Sequence, residues 1–212
     1  MKDWLNEIRE PGKTGWLLEA VCFTGLFLLL GGALGTCSKW LDNLAIDDTV
    51  WWQHLLGVLD LGNVFSMLPI WLLIALAIAV YSLTPARAAW NVFAFFAGMC
   101  ISYHIFTVKF SGFNPQSYMM IWYGLTLFSP VLACLCWYGK GKTVVSTVLD
   151  ALILGVMMTA CFSIGLWYFE LTSVINTLIF LAAAGILYTS AWNTTLSLAG
   201  AAVLAFGLRF FL

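Results

Sequence analysis

From Leu17 onward the chain is a succession of apolar runs, each roughly 20 residues long, separated by short polar or Gly/Pro punctuation. The runs cover residues 17–36, 64–82, 86–108, 118–138, 143–162, 171–190 and 194–211. As a helix, such a run spans a hydrocarbon core of about 30 Å. Unpaired backbone groups are too costly in lipid, and none of the runs alternates as a barrel strand does, so each reads as a helix. The expected fold is an all-α polytopic transmembrane bundle of seven helices, or six if the last run, which carries Arg209 near its end, stays at the interface. Residues 1–15 are expected to form a cytoplasmic amphipathic segment, and residues 16–212 a single bundle with an outer amphipathic loop at 37–62.

Composition narrows the function classes. The chain is 62% hydrophobic and only 9% charged, which leaves no room for a soluble catalytic domain. Nine basic residues face ten acidic ones, so nothing points to nucleic acid. The six cysteines fall mostly inside apolar runs and read as small hydrophobes; Cys134 and Cys136 form a C-x-C without the C-x-x-C spacing of redox sites. The N-terminal segment has no apolar core followed by a small-residue cleavage site, so the first run itself is expected to direct insertion.

Lysine and arginine placement sets the expected orientation. With the N-terminus inside, Lys2, Arg9, Lys13, Arg87, Lys140 and Lys142 are cytoplasmic, whereas Lys39, Lys109 and Arg209 are outside. That asymmetry favours a cytoplasmic N-terminus. Trp4, Leu5 and Ile8 share one helical face and read as an anchor on the inner leaflet. In the outer loop, Asp47-Asp48-Thr49 offers an N-cap, and Val50, Trp51, Leu55, Val58 and Leu59 follow at helical spacing. Trp51 and Trp52 then lie in an interfacial helix, as belt anchors or over the mouth of a cavity. A comparison of Pro and Gly positions finds no internal repeat, since Pro69 has no counterpart in the fifth segment.

Ionisable groups within the runs are few. Asp150 lies seven residues beyond Thr143, about 10 Å past the inner boundary. Burying it costs at least about 3 kcal/mol on insertion scales, and Arg87 is the nearest cation in depth. His104 sits near the outer end of its run among aromatic residues, where a hydrogen-bonded packing role competes with ligand binding. Asn91, Ser129 and Asn176, with Thr126, Thr159 and Thr177, lie where they can line a cavity or bond across helices. Pro130 removes a backbone donor and frees a carbonyl that a neighbour must satisfy. Gly31 and Gly35 form a G-x-x-x-G that suits close helix packing, within the bundle or with a partner subunit.

Absent patterns exclude most chemistry. There is no G-x-S-G, no H-E-x-x-H, no paired glutamates with a downstream histidine, and no lysine in the last run to hold a retinal. The acidic residues and His54 of the outer side show no metal-ligand spacing. No catalytic set, cofactor or metal is expected, and the chain reads as a non-enzyme.

Two stretches, residues 82–106 (SLTPARAAWNVFAFFAGMCISYHIF) and 111–142 (SGFNPQSYMMIWYGLTLFSPVLACLCWYGKGK), resemble a family of small multi-pass membrane proteins of Firmicutes to which no chemistry is assigned. That resemblance implies a bacterial cytoplasmic-membrane protein and carries over no functional residues. In size, in the small-sided first helix and in the long first loop, the chain is also similar to the substrate-capture subunits of energy-coupling-factor vitamin transporters, which have about six helices. The resulting expectation is a bundle that binds or transports a small solute through a cavity lined by Asp150, Asn91, Ser129, Asn176 and His104 beneath Trp51 and Trp52. The alternative is a non-catalytic membrane subunit that assembles with itself or a partner through Gly31 and Gly35.

Overall fold

The structure is a computed structural model and describes residues 2–13, 15–45, 47, 49–165 and 167–211. Among them are ten α-helices: α1 (Lys2–Ile8), α2 (Leu17–Asp42), α3 (Trp51–Val58), α4 (Leu61–Ser66), α5 (Leu68–Tyr81), α6 (Pro85–Phe106), α7 (Gln116–Gly139), α8 (Val144–Cys161), α9 (Val174–Leu187) and α10 (Ala191–Phe211). A π-helical turn, Thr107–Ser111, extends α6, and a short antiparallel hairpin, β1 (Ser163–Ile164) with β2 (Phe169–Glu170), joins α8 to α9. Among the described residues four helical stretches are long and apolar enough to cross a membrane: Leu17–Asp42, Pro85–Ser111, Gln116–Gly139 and Val144–Cys161. The apolar α5 and α9 are shorter, at 14 residues each, or about 21 Å.

Several boundaries depart from the sequence expectation. Helix α2 continues six residues past Thr36, so the loop expected at 37–62 begins only after Asp42. The run at 64–82 is not one helix: Met67 is extended (ψ 149) between α4 and α5. Pro69 then occupies the first turn of α5, where its missing N–H costs nothing. The N-cap expected at Asp47-Asp48-Thr49 is replaced by Val50, which caps α3 without a side-chain bond. Asp47 instead accepts from the backbone N–H (3.0 Å) and hydroxyl (2.7 Å) of Thr49, an Asx turn; Asp48 lies outside the described residues. Trp192 and Asn193, which fall between the last two apolar runs, are inside α10.

The chain divides into two compact units. The first comprises Met1–Thr14, Pro69–Ala89 and Val131–Leu212. Its apolar core joins Leu76 and Val80 of α5 to Leu154, Met157 and Cys161 of α8, Ile179, Phe180 and Leu187 of α9, and Ala201 and Ala205 of α10. α8 and α10 run parallel, since Thr147 meets Ser197 and Gly155 meets Ala201 further along both helices. The N-terminal arm is part of this unit. Ile8 is buried, Gly12 N–H donates to Leu83 O (2.8 Å), and Arg9 reaches inward.

The second unit comprises Gly15–Leu68 and Trp90–Pro130. Here α2 and α6 run parallel through their small residues. A Cβ on Gly31 would overlap Phe95 O, one on Gly35 would come within 2.5 Å of Met99 O, and one on Gly98 would overlap Leu28 O. Such backbone-to-backbone approach is what a G-x-x-x-G face provides.

The register of these two parallel pairs exposes a repeat that the Pro and Gly comparison misses. Gly98 on α6 abuts Leu28 on α2, and Gly200 on α10 abuts Ala151 on α8. Setting Gly98 against Gly200 aligns Ala89-Trp90-Asn91 with Ala191-Trp192-Asn193, and Ala97-Gly98 with Ala199-Gly200, at identical spacing. Setting Leu28 against Ala151 aligns Thr24, Leu26, Leu29, Gly32 and Thr36 with Thr147, Leu149, Leu152, Gly155 and Thr159. The intervening helices α5 and α9 have equal length and share Leu-Ile-x-Leu-Ala at residues 73–77 and 178–182. These matches relate α2, α5 and α6 to α8, α9 and α10 in chain order only, since α5 packs in the core of the first unit with α8, α9 and α10.

Candidate functional site

The expected cavity residues fall into two sets. Asp150 and Asn176 belong to the first unit; Asn91, Ser129, His104, Trp51, Trp52, Gly31 and Gly35 belong to the second.

In the second unit each polar candidate is engaged close by. Asn91 Oδ1 accepts from the Thr24 hydroxyl (2.8 Å), tying α6 to α2. Ser129 has a local duty created by its neighbour. Pro130 has no N–H to offer Thr126 O, one turn back, and the Ser129 hydroxyl donates to that carbonyl at 2.8 Å instead. Ser129→Ala should thus lower thermal stability by about 1 kcal/mol. Adding Pro130→Ala, which restores the missing N–H, should recover the loss in the same melting experiment.

His104 is held from both ring nitrogens: Nε2–H donates to Asn114 Oδ1 (3.1 Å), and Nδ1 accepts from the Tyr123 hydroxyl. This arrangement leaves neither nitrogen open to a metal. Trp52 stacks on Trp40 of α2 with ring centroids 6.4 Å apart, whereas Trp51 is exposed. Gly31 and Gly35 face α6 of their own chain. Lys39, which the sequence offers only as an outer charge, is buried beside Asp42 (3.4 Å) and beneath the rings of Tyr103 and Phe113. Both its ion pair and its aromatic cover satisfy the charge.

In the first unit Asn176 lies at the start of α9, donating from Nδ2 to the Thr172 hydroxyl (2.9 Å). Asp150 is elsewhere, near the C-terminal end of α9. The residue is only 4% exposed, and among the described residues Oδ1 has no hydrogen-bond partner. A Cβ on Gly139 would come within 2.7 Å of that oxygen, beside the methyls of Ile153 and Leu187. The cation acting on it is Lys140, not Arg87 as expected. The Lys140 ammonium donates to Ile186 O and to Tyr188 O (2.7 Å), closing the end of α9. Burial pulls the Lys140 pKa below its ordinary value, Asp150 pushes it back up, and Arg9 adds to the fall.

Arg9 forms a second clamp that sequence reasoning counted only as an inside charge. Its guanidinium donates to Trp137 O (2.7 Å) and Val80 O (2.9 Å) and lies over the Trp137 ring at 4.3 Å. Trp137 is fully buried and donates from Nε1 to Ser82 O (2.7 Å). The C-terminal ends of α5, α7 and α9 thus meet two cations at one end of the unit, the favourable polarity for helix dipoles. Burial lowers the Arg9 pKa from its ordinary value without approaching deprotonation in any physiological range.

No family model, no curated protein and no solved structure matches this chain. Among the described residues no group of three or more His, Cys, Asp or Glu side chains is placed to hold a metal ion.

Proposed function

We propose that the chain is a seven-crossing membrane protein of a bacterial cytoplasmic membrane that binds a small solute and moves it across the bilayer, with two three-helix repeats in tandem along its sequence. The observation that carries this reading is the triplet of helices duplicated in chain order, with its shared Ala-Trp-Asn and Ala-Gly register and its glycine-mediated parallel helix pair in each copy. Internal repeats of this kind are a recurrent way of building transporters. Three crossings and a fourth connecting one leave the chain facing the same way at the start of each triplet, the parallel-repeat pattern. A deep carboxylate on α8 adds the kind of residue that marks solute or ion pathways in membranes. α5 and α9 complete their crossings with the residues that adjoin them.

The test uses purified protein in vesicles incubated with a soluble metabolite extract, followed by mass spectrometry of the retained compounds. At least one small compound should be enriched tenfold or more over empty vesicles, and Asp150→Asn should remove that enrichment. Equal retention by protein-containing and empty vesicles would overturn the reading.

The proposed orientation places the Arg9 and Lys140 clamps inside. Asp47→Cys should therefore react with a membrane-impermeant maleimide on intact cells, and Lys142→Cys only after permeabilisation. The reverse pattern would invert the orientation.

A further inference from the structure

The coupling ion of such a protein is not identified by its repeats, but the surroundings of Asp150 are selective. A metal cation of the sodium or calcium type needs several oxygen ligands converging on one point. The unpartnered Oδ1 of Asp150 instead faces the Cα of Gly139 and the methyl groups of Ile153 and Leu187. An organic cation would need a void beside the carboxylate, and this backbone and these methyls occupy that position. A proton needs one oxygen and no room.

The charged and titratable groups around the carboxylate fit the same conclusion. From α7 and the turn after it come Cys136 and Lys140, both in electrostatic reach of Asp150. Arg9 of the N-terminal arm acts on Lys140. α9 brings Leu187 and has no ionisable side chain along its length. The one ionisable residue of α10, Arg209, has a side chain outside the described residues and lies at the end of α10 far from the Thr147–Ser197 contact. Lys140 is already committed to the carbonyls of Ile186 and Tyr188 at the end of α9, so it tempers the carboxylate charge without supplying a hydrogen bond to Oδ1.

The repeat supplies a separate argument. The register that aligns Thr24 with Thr147 sets Phe27 against Asp150. An apolar ring therefore serves at this position in the first triplet, and the carboxylate in the second is not demanded by helix packing.

The start of α8 next to the carboxylate is closed by local contacts, with the Ser146 hydroxyl donating to Thr143 O (2.7 Å) and accepting from Thr143 N–H (2.8 Å). Ser146 precedes Asp150 by one turn on the same face of α8. It is buried and takes part in the capping box with Thr143 at the helix start. The arm closes over this end, with Ile8 O packed on Gly141 beside the Ser146 hydroxyl.

We propose that Asp150 is a proton-binding site, taking one proton on Oδ1 and returning to the carboxylate when that proton leaves. The proton binding stands on the geometry of α8; its use in coupling rests on the transport reading above. The test is infrared difference spectroscopy of the vesicle-reconstituted full chain between alkaline and acidic pH, in sodium and in choline buffers. A protonated-carboxyl C=O band should grow on acidification in both buffers, shift in deuterated water, vanish in Asp150→Asn and persist at a displaced frequency in Asp150→Glu. Superimposable spectra for the native chain and Asp150→Asn would overturn the proposal, as would a band governed by sodium and not by pH. Vesicles that retain no solute, together with a band that meets these criteria, would remove the transport reading and leave the proton site standing.

Discussion

Gly31→Leu is expected to prevent the second unit from folding. Even one methyl carbon at this position overlaps the backbone carbonyl of Phe95, and a carbonyl inside a helix cannot swing away as a flexible side chain can. Ordinary overpacking costs about 1–3 kcal/mol, so a clash with fixed backbone should reach at least the upper end. The helix pair would have to separate, losing the Gly35 and Gly98 contacts and the Thr24–Asn91 hydrogen bond along with it. Gly25→Ala is the control, because nothing lies within 4 Å of a Cβ there. Gly25→Ala should elute from size-exclusion chromatography as the native chain does, and Gly31→Leu should aggregate or melt many degrees lower. A native-like melt for Gly31→Leu would contradict the parallel α2–α6 packing.

The second large effect is expected at Arg9. Truncation to alanine removes two charge-assisted hydrogen bonds and a cation–π contact, and leaves Trp137 O and Val80 O without their donor. Hydrogen bonds to charged groups contribute about 1.5–3 kcal/mol each; because Arg9 is only half-buried, solvent screening reduces the total to about 2–4 kcal/mol. Arg9→Lys should recover only part of the loss, since a single ammonium lacks the planar fork that reaches two carbonyls and covers a ring. Thermal melts of the three proteins in detergent, with protease sensitivity of residues 1–14 as a second readout, check this. Equal melting points for the native chain and Arg9→Ala would show that the arm does not hold the helix ends.

Much of the helical architecture was legible because it depends on local information. All seven apolar runs contain helix, and among the described residues four of the helices are long and apolar enough to cross a membrane. The deviations arise where local and distant effects compete. Met67 breaks the second run because Pro69 has no N–H to give the carbonyl four residues back and its ring crowds that carbonyl, so it enters a helix only in the first turn. Asp47 looked like a cap, but its short side chain found Thr49 first. Ser129 looked like a lining residue, and its duty is to replace the hydrogen bond that Pro130 removes.

The candidate site was legible only in part. Asp150 stood out because carboxylates are rare in apolar runs, yet its cationic neighbour was misassigned. Depth along the membrane selected Arg87, whereas the turn after α7 brings Lys140 to the same place. Arg9 could not be recognised at all, since its partners lie 71 and 128 residues away in sequence. The repeat was hidden for a related reason: the triplets differ in loop length, so the first and third helices align with different offsets. Only the paired glycine contacts fix both offsets at once.

The central claim is that Asp150 is retained for solute movement and not for holding α7, α8 and α9 together. The most direct test measures stability and solute retention on the same preparation of Asp150→Leu. Replacing a buried, unpartnered carboxylate by an apolar side chain of similar size relieves a burial penalty. The account predicts a melting temperature equal to or above that of the native chain, with solute retention reduced to the level of empty vesicles. A lowered melting temperature with retention intact would contradict it.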